Sequence, residues 1–238
     1  MTGSSDLRVV SLVPSLTETL LAWGIEPVAC TRFCEQPSLR AVGGTKDPDL
    51  EAIASLAPDL VVVNDEENRR EDADALAARG LTVHACSPRT ATEVAPALAR
   101  LAAAIGVAPT ADRRGGPVPA LAPLGLRAFV PIWRRPWMSL AADTYGSSLL
   151  AAIGITTVVP VGDGLDRYPE VDLAAVTALA PEVVLAPSEP YAFRPSHLTE
   201  LATVAPVIPV DGQDLFWWGV RTPAAAHRLH RAISAALR

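Results

Sequence analysis

DLEAIASLAPDLVVV, from Asp49 to Val63, returns 123 residues later as DLAAVTALAPEVVLA, from Asp172 to Ala186. Seven of the 15 positions are identical, and most of the rest exchange like for like: Ile53 for Val176, Asp59 for Glu182, Leu60 for Val183. One helix, one turn and one buried strand are therefore written twice. A chain built twice has a seam, and seams between paired lobes are where ligands bind.

The flanks extend the copy. An apolar strand and a helix precede it in both halves, RVVSLVPS then TETLLAWGI, and RAFVPIW then YGSSLLAAIGI. A polar loop, a helix and a strand follow it, EDADALAARGLTVHAC and SHLTELATVAPVIPVD. Each half reads β-α-β, then α-β, then α-β. Short Val- and Leu-rich runs without polar alternation predict parallel strands covered on both faces. The fold class is α/β, with two parallel-sheet lobes related by the repeat, joined by a helix and linker, and a ligand cleft between them.

The boundaries fall at residues 1–105 for the first lobe, 106–126 for the linker and 127–238 for the second lobe. The stretch TEVAPALARLAAAIG predicts a helix capped by Thr92 with Pro96 in its first turns. Gly106 to Leu126 then holds four prolines and four glycines in 21 residues, which forbids one uninterrupted helix and leaves room for a short turn around Thr110 to Arg114.

Composition narrows the function. The chain has 238 residues, with 20 Lys and Arg against 26 Asp and Glu, a net charge of −6. With no basic stripe, a nucleic-acid partner is not expected, since phosphate neutralisation needs clustered cations. Prolines break every apolar run short of the roughly 18 residues of a membrane span, so no membrane insertion is expected. Met1 to Leu7 is polar, and Val9 to Val13 is shorter than the roughly 7 to 15 residues of a signal h-region. As written the chain predicts a cytoplasmic monomer; export or anchoring would require a leader already removed. Cys30, Cys34 and Cys86 suit a reducing compartment better than a disulfide scaffold.

Ligands of parallel α/β sheets bind beyond the carboxyl ends of the strands. Nine of the twelve aromatic residues fall in the loops predicted there: Phe33, Trp133, Trp137, Tyr168, Tyr191, Phe193, Phe216, Trp217 and Trp218. That distribution predicts an apolar surface for a planar or bulky molecule, against the alternative that the rings only pack the lobes. Ser15, Arg32, Phe33, Trp133, Arg134, Trp137, Tyr191, Phe216, Trp217, Trp218 and Arg221 are the candidate ligand-binding residues. Arg134 and Arg135 beside Trp133 and Trp137 would meet a carboxylate or amide edge.

Glu66, with Glu67 beside it, and Glu189 occupy equivalent places just past the repeated strand. Paired carboxylates suit acid–base work, metal ligation or docking to arginines, and solvated loop charges are the plain alternative. No metal-ligand set and no catalytic set stands out. His84, His197, His227 and His230 lie mostly on predicted helices, and Cys30 and Cys34 make a C-x3-C without a second pair. There is no G-x-S-x-G elbow, no Walker loop and no G-x-G-x-x-G after a strand.

VVSLVPSLTETLLAWG, VGGTKDPDLEAIASLAPDLVVV, NDEENRRED, IWRRPWM, RYPEVDL and LAPSEPYAF, in that order, resemble the class III substrate-binding proteins of ABC importers, the helical-backbone metal receptors, and within them the vitamin B12-binding branch. The resemblance covers nearly the whole chain. It implies two Rossmann-like lobes bridged by a helix, with a metal chelate such as cobalamin, haem or a ferric siderophore between them. It also implies a glutamate on each lobe, Glu66 or Glu67 and Glu189, meeting arginines of an ABC permease dimer, and Trp133, Phe216 and Trp217 facing the ligand. The chain departs from the family in its Pro/Gly-rich linker, where members cross on one long helix. It departs again in showing no leader.

The expected function is non-enzymatic binding of a large metal chelate, a corrinoid first, with no cofactor of the protein's own. Siderophore or haem binding is the rival within that class. A chelatase-like enzyme acting on a tetrapyrrole between two α/β lobes is the rival outside it.

Overall fold

The structure, a computed structural model, describes residues 7–108, 115–162 and 166–238. The short turn expected around Thr110 to Arg114 lies outside them. The chain divides into two compact units. Unit 1 takes the described residues within 1–88, 94–116 and 218–220; unit 2 takes 89–93, 117–217 and 221–238.

Unit 1 runs β1 (Val9–Ser11), α1 (Pro14–Ala22), β2 (Ala29–Cys30), α2 (Leu50–Ser55), β3 (Leu60–Val63), α3 (Arg70–Ala78), β4 (Val83–Ala85) and α4 (Val94–Ala104). Its sheet is parallel in the order β2-β1-β3-β4. Unit 2 runs β5 (Leu126–Phe129), a hairpin of β6 (Pro131–Trp133) and β7 (Met138–Ser139), α5 (Tyr145–Ala152), β8 (Ile155–Thr157), α6 (Leu173–Ala178), β9 (Val183–Pro187), α7 (Pro195–Leu201), β10 (Val207–Val210), α8 (Gly212–Phe216) and α9 (Thr222–Ala236). Its main sheet is parallel in the order β10-β9-β5-β8. Counted from its own first strand, each unit's sheet has the order 2-1-3-4, so the repeat in the sequence is a repeat of topology. The α/β class with two parallel sheets is what the sequence predicted; the β6–β7 hairpin is an insertion in the second copy that periodicity did not reveal.

The repeated segment is built alike down to single bonds. Asp49 and Asp172 cap α2 and α6, each accepting through Oδ1 from the backbone, Ala52 N at 2.9 Å and Ala174 N at 2.8 Å. Both helices stop before a proline, at Ala57 and Ala180, which take the left-handed conformation with φ of 44° and 50°. The next acidic residue then ties the segment to the unit's first strand. Asp59 accepts from Arg8 N at 2.8 Å, and Glu182 accepts from Arg127 N at 2.9 Å. The two arginines donate back to the carbonyls of Leu56 (2.8 Å) and Leu179 (2.7 Å).

Both cores form around this unit of structure. Val10, Leu12, Ile53, Val61, Val63 and Leu76 pack together in unit 1, and Phe129, Val176, Val184 and Leu201 in unit 2. Ile53 and Val176, and likewise Val61 and Val184, are repeat equivalents. Every residue of β1, β3 and β9 is buried, as strands covered on both faces require.

One local expectation changes. The helix before the linker does not begin at a Thr92 cap. A 3-10 turn over Ala91–Glu93 leads into α4, and Glu93 Oε2 accepts from Arg89 N at 2.7 Å and Thr90 N at 3.3 Å. The acid three residues after Thr90 does the capping from inside the turn. Residues 117–125 belong to unit 2. Leu124 N donates to Ile153 O at 3.0 Å, and His230 Nε2 lies 2.8 Å from Ala122 O.

Candidate functional site

The β6–β7 hairpin places its turn, Arg134 to Trp137, beside the loop that follows β9. Trp133 ends β6 and is 44% exposed, with its ring edge-on to Tyr191 at 5.1 Å and 67°. Tyr191 tilts against Phe193 at 5.0 Å, and Phe193 stacks on Trp137 at 6.0 Å and 15°. Four rings thus run in one contiguous series, in the offset and edge geometries that aromatic quadrupoles prefer. The series is fastened from below by Glu200 of α7. Its carboxylate accepts from Trp137 Nε1 at 3.1 Å and from Arg134 Nε and Nη2 at 3.0 and 2.7 Å. Arg134 also lies 5.5 Å from the centre of the Trp137 ring.

The sequence brought Trp133, Arg134, Trp137 and Tyr191 forward, and the structure assembles them; it missed Glu200 and His197. His197 is buried, 5.7 Å from the Tyr191 ring, and its Nδ1 accepts from Arg194 N at 3.2 Å. Desolvation first, then the charges of Arg134 and Arg194, hold its pKa below the ordinary value, so the imidazole is neutral at neutral pH.

The hydrogen bond from Arg134 is the largest cause that holds Glu200 below its ordinary 4.5. A carboxylate depressed in the folded state stabilises the fold fully above that ordinary value and loses the contribution as pH falls through the folded value. Acidification below 4.5 is therefore expected to weaken unit 2 and loosen Trp137. Tryptophan emission followed from pH 6 to pH 3 should be steeper in the wild type than in Glu200→Gln, and equal slopes would refute the assignment.

A second group lies around α8. Trp217 Nε1 donates to Glu189 Oε1 at 2.7 Å, and the Arg221 guanidinium lies 5.1 Å from the Trp217 ring centre. Arg221 pairs with Asp214 at 3.6 Å, and Asp214, only 3% exposed, accepts from Arg228 Nε at 2.7 Å. Phe216 ends α8 and is half-buried. Trp218 is not part of this surface. It is 3% exposed and belongs to unit 1, because the chain turns at Gly219 (φ 138°), where a side chain would collide with the Thr19 hydroxyl of α1.

In unit 1 the candidates stand apart. Ser15 sits in the first turn of α1, buried, with no hydrogen-bond partner for its hydroxyl among the described residues. Arg32 bonds Asp47 at 2.9 and 3.0 Å and covers Phe33 at 4.8 Å, leaving Phe33 50% exposed. The Glu66 loop is held by its backbone. Glu66 N donates to Asn64 Oδ1 at 3.0 Å, and Lys46 Nζ donates to Glu66 O at 2.8 Å. Glu67 Oε1 accepts from Asn64 Nδ2 at 3.3 Å. The three cysteines are free and buried. Among the described residues no helix is long and apolar enough to cross a membrane.

Two parallel lobes of one topology, with aromatic and arginine-bearing loops at the carboxyl ends of their strands, have the fold of the class III substrate-binding proteins of ABC importers. The periplasmic vitamin B12-binding protein BtuF of Vibrio cholerae superposes with a TM-score of 0.76 over 97% of this chain and 98% of that one, at 20% identity. The periplasmic heme-binding protein RhuT from Roseiflexus sp. RS-1, in apo form, gives 0.76 over 98% and 100%, at 18% identity. In sequence, a vitamin B12-binding protein of Photorhabdus laumondii is 31% identical over 105 residues. That match spans 42% of this chain and 38% of the relative, little over a third of its length. No protein-family model matches the chain.

Proposed function

We propose that this chain is a binding protein, not an enzyme, for a large metal chelate, with a corrinoid as its first ligand, and that it serves as the substrate-binding component of an ABC importer. The observation that carries the reading is the ring series Trp133, Tyr191, Phe193 and Trp137 with its exposed end at Trp133. A protein that only needed these rings for its core would bury them all. A macrocycle offers a flat apolar face to the rings and amide or carboxylate edges to Arg134, Arg135 and Arg221. The B12-binding relatives support the same choice. Docking to a permease through Glu66 or Glu67 and Glu189 belongs to this reading.

Haem is the second reading, and Tyr191 favours it: its phenol stands within the ring series, next to neutral His197, and haem iron needs an axial ligand of that kind. Titration of the purified chain with cyanocobalamin and with haemin, followed by tryptophan quenching, separates the two. Saturable quenching by cyanocobalamin at micromolar concentration or below is expected. Saturation by haemin alone, with a Soret shift lost in Tyr191→Phe, would replace the corrinoid by haem. No saturable quenching by either, or by a ferric siderophore, would overturn chelate binding.

A further inference from the structure

Glu189 and Glu66 occupy equivalent places in the repeat. The loop of Glu66 is held through its backbone, by Asn64 Oδ1 and Lys46 Nζ. The Glu189 loop is bound to the end of β10, to the start of α8 and to the residue that caps α8. Ser188 N donates to Val210 O at 3.0 Å, Gly212 N donates to Ser188 Oγ at 2.9 Å, and Trp217 Nε1 donates to the Glu189 carboxylate at 2.7 Å. The approach is so close that a Cβ on Gly212 would come within 2.5 Å of Glu189 N and Cγ.

We infer that Glu189 is the positioning residue of Trp217, fixing the indole for the ligand by a charge-assisted hydrogen bond. The indole has one donor, and a carboxylate is the strongest acceptor a side chain offers it. With its edge held by Glu189 and its face by Arg221, the ring has both its direction and its tilt set before any ligand arrives. Preorganised rings bind better, because the entropy of ordering them is lost on folding and not on binding. The same loop carries Tyr191 two residues on, edge-on to Trp133. Glu189 therefore sets the Trp217 group relative to the ring series.

This inference rests on the proposed chelate binding only for its affinity arm. Glu189→Ala, Glu189→Gln and Trp217→Phe are made in the full chain. Without ligand, Glu189→Ala should shift tryptophan emission to the red and weaken the near-ultraviolet dichroism. Glu189→Gln, which keeps an acceptor, should stay close to wild type, and Trp217→Phe should abolish the difference between Glu and Ala at 189. With cyanocobalamin, Glu189→Ala should bind about tenfold more weakly, the weight of a hydrogen bond to a charged group, and Glu189→Gln within about threefold of wild type. Unchanged spectra in Glu189→Ala would overturn the positioning role, as would a Glu189→Gln no better than Glu189→Ala. If the wild type binds no chelate, the functional reading fails, and the spectral arm still decides the role of Glu189.

Discussion

Replacing Asp214 by alanine is expected to cost about 3 kcal/mol of stability. Asp214 is 3% exposed and binds two arginines at once, Arg228 through both carboxylate oxygens and Arg221 at 3.6 Å. Its backbone is also committed, since its N–H donates to the Asp211 cap of α8 at 3.1 Å. Removing the carboxylate takes a charge partner from the Arg221 side chain, itself 15% exposed, in the neighbourhood of buried Tyr145. A buried pair that loses one partner costs about 3 to 5 kcal/mol. The low end applies because Arg228 is 43% exposed and turns to water. Asp214→Asn keeps the shape and loses the charge, so it should fall between the two. Denaturant unfolding of the full chain measures all three, and an Asp214→Ala within 1 kcal/mol of wild type, on the order of an ordinary surface change, would show the network to be dispensable.

The repeat was legible because both copies need the same turn: Ala before Pro at the helix end, an acid next, then a buried strand. Even the exchange of Asp59 for Glu182, like for like in the sequence, has a bond behind it, since either acid reaches the N–H of Arg8 or Arg127. The aromatic loops were legible because strand ends in parallel sheets announce where a ligand surface lies. Glu200 was not, because its role depends on α7 packing beside the hairpin, a contact more than 60 residues distant in sequence. Trp218, the third of three aromatics in a row, is buried in unit 1 while Phe216 and Trp217 belong to unit 2. Gly219 after them was the available signal, a position where the chain presses too closely on α1 for a side chain.

Trp133→Ala is expected to weaken corrinoid binding by at least tenfold while leaving stability nearly unchanged, and that combination is what distinguishes a ligand surface from a core. The ring is 44% exposed, so its removal opens no closed cavity, and Tyr191 at 5.1 Å loses one edge contact worth about 1 kcal/mol. An aromatic anchor buried by a ligand typically carries about 2 kcal/mol or more, and each 1.4 kcal/mol is about a factor of ten in affinity. Trp133→Phe, keeping a smaller ring, should recover part of the loss. Calorimetric titration with cyanocobalamin, alongside thermal unfolding of the same variants, reads both quantities. An affinity within about threefold of wild type in Trp133→Ala would take the ring out of the site. A large fall in stability with affinity intact would make the series a packing feature and remove the observation on which the functional reading stands. The two outcomes are exclusive because a half-exposed ring contributes mainly either to what it touches now or to what it will touch, and 44% of Trp133 touches nothing in the protein.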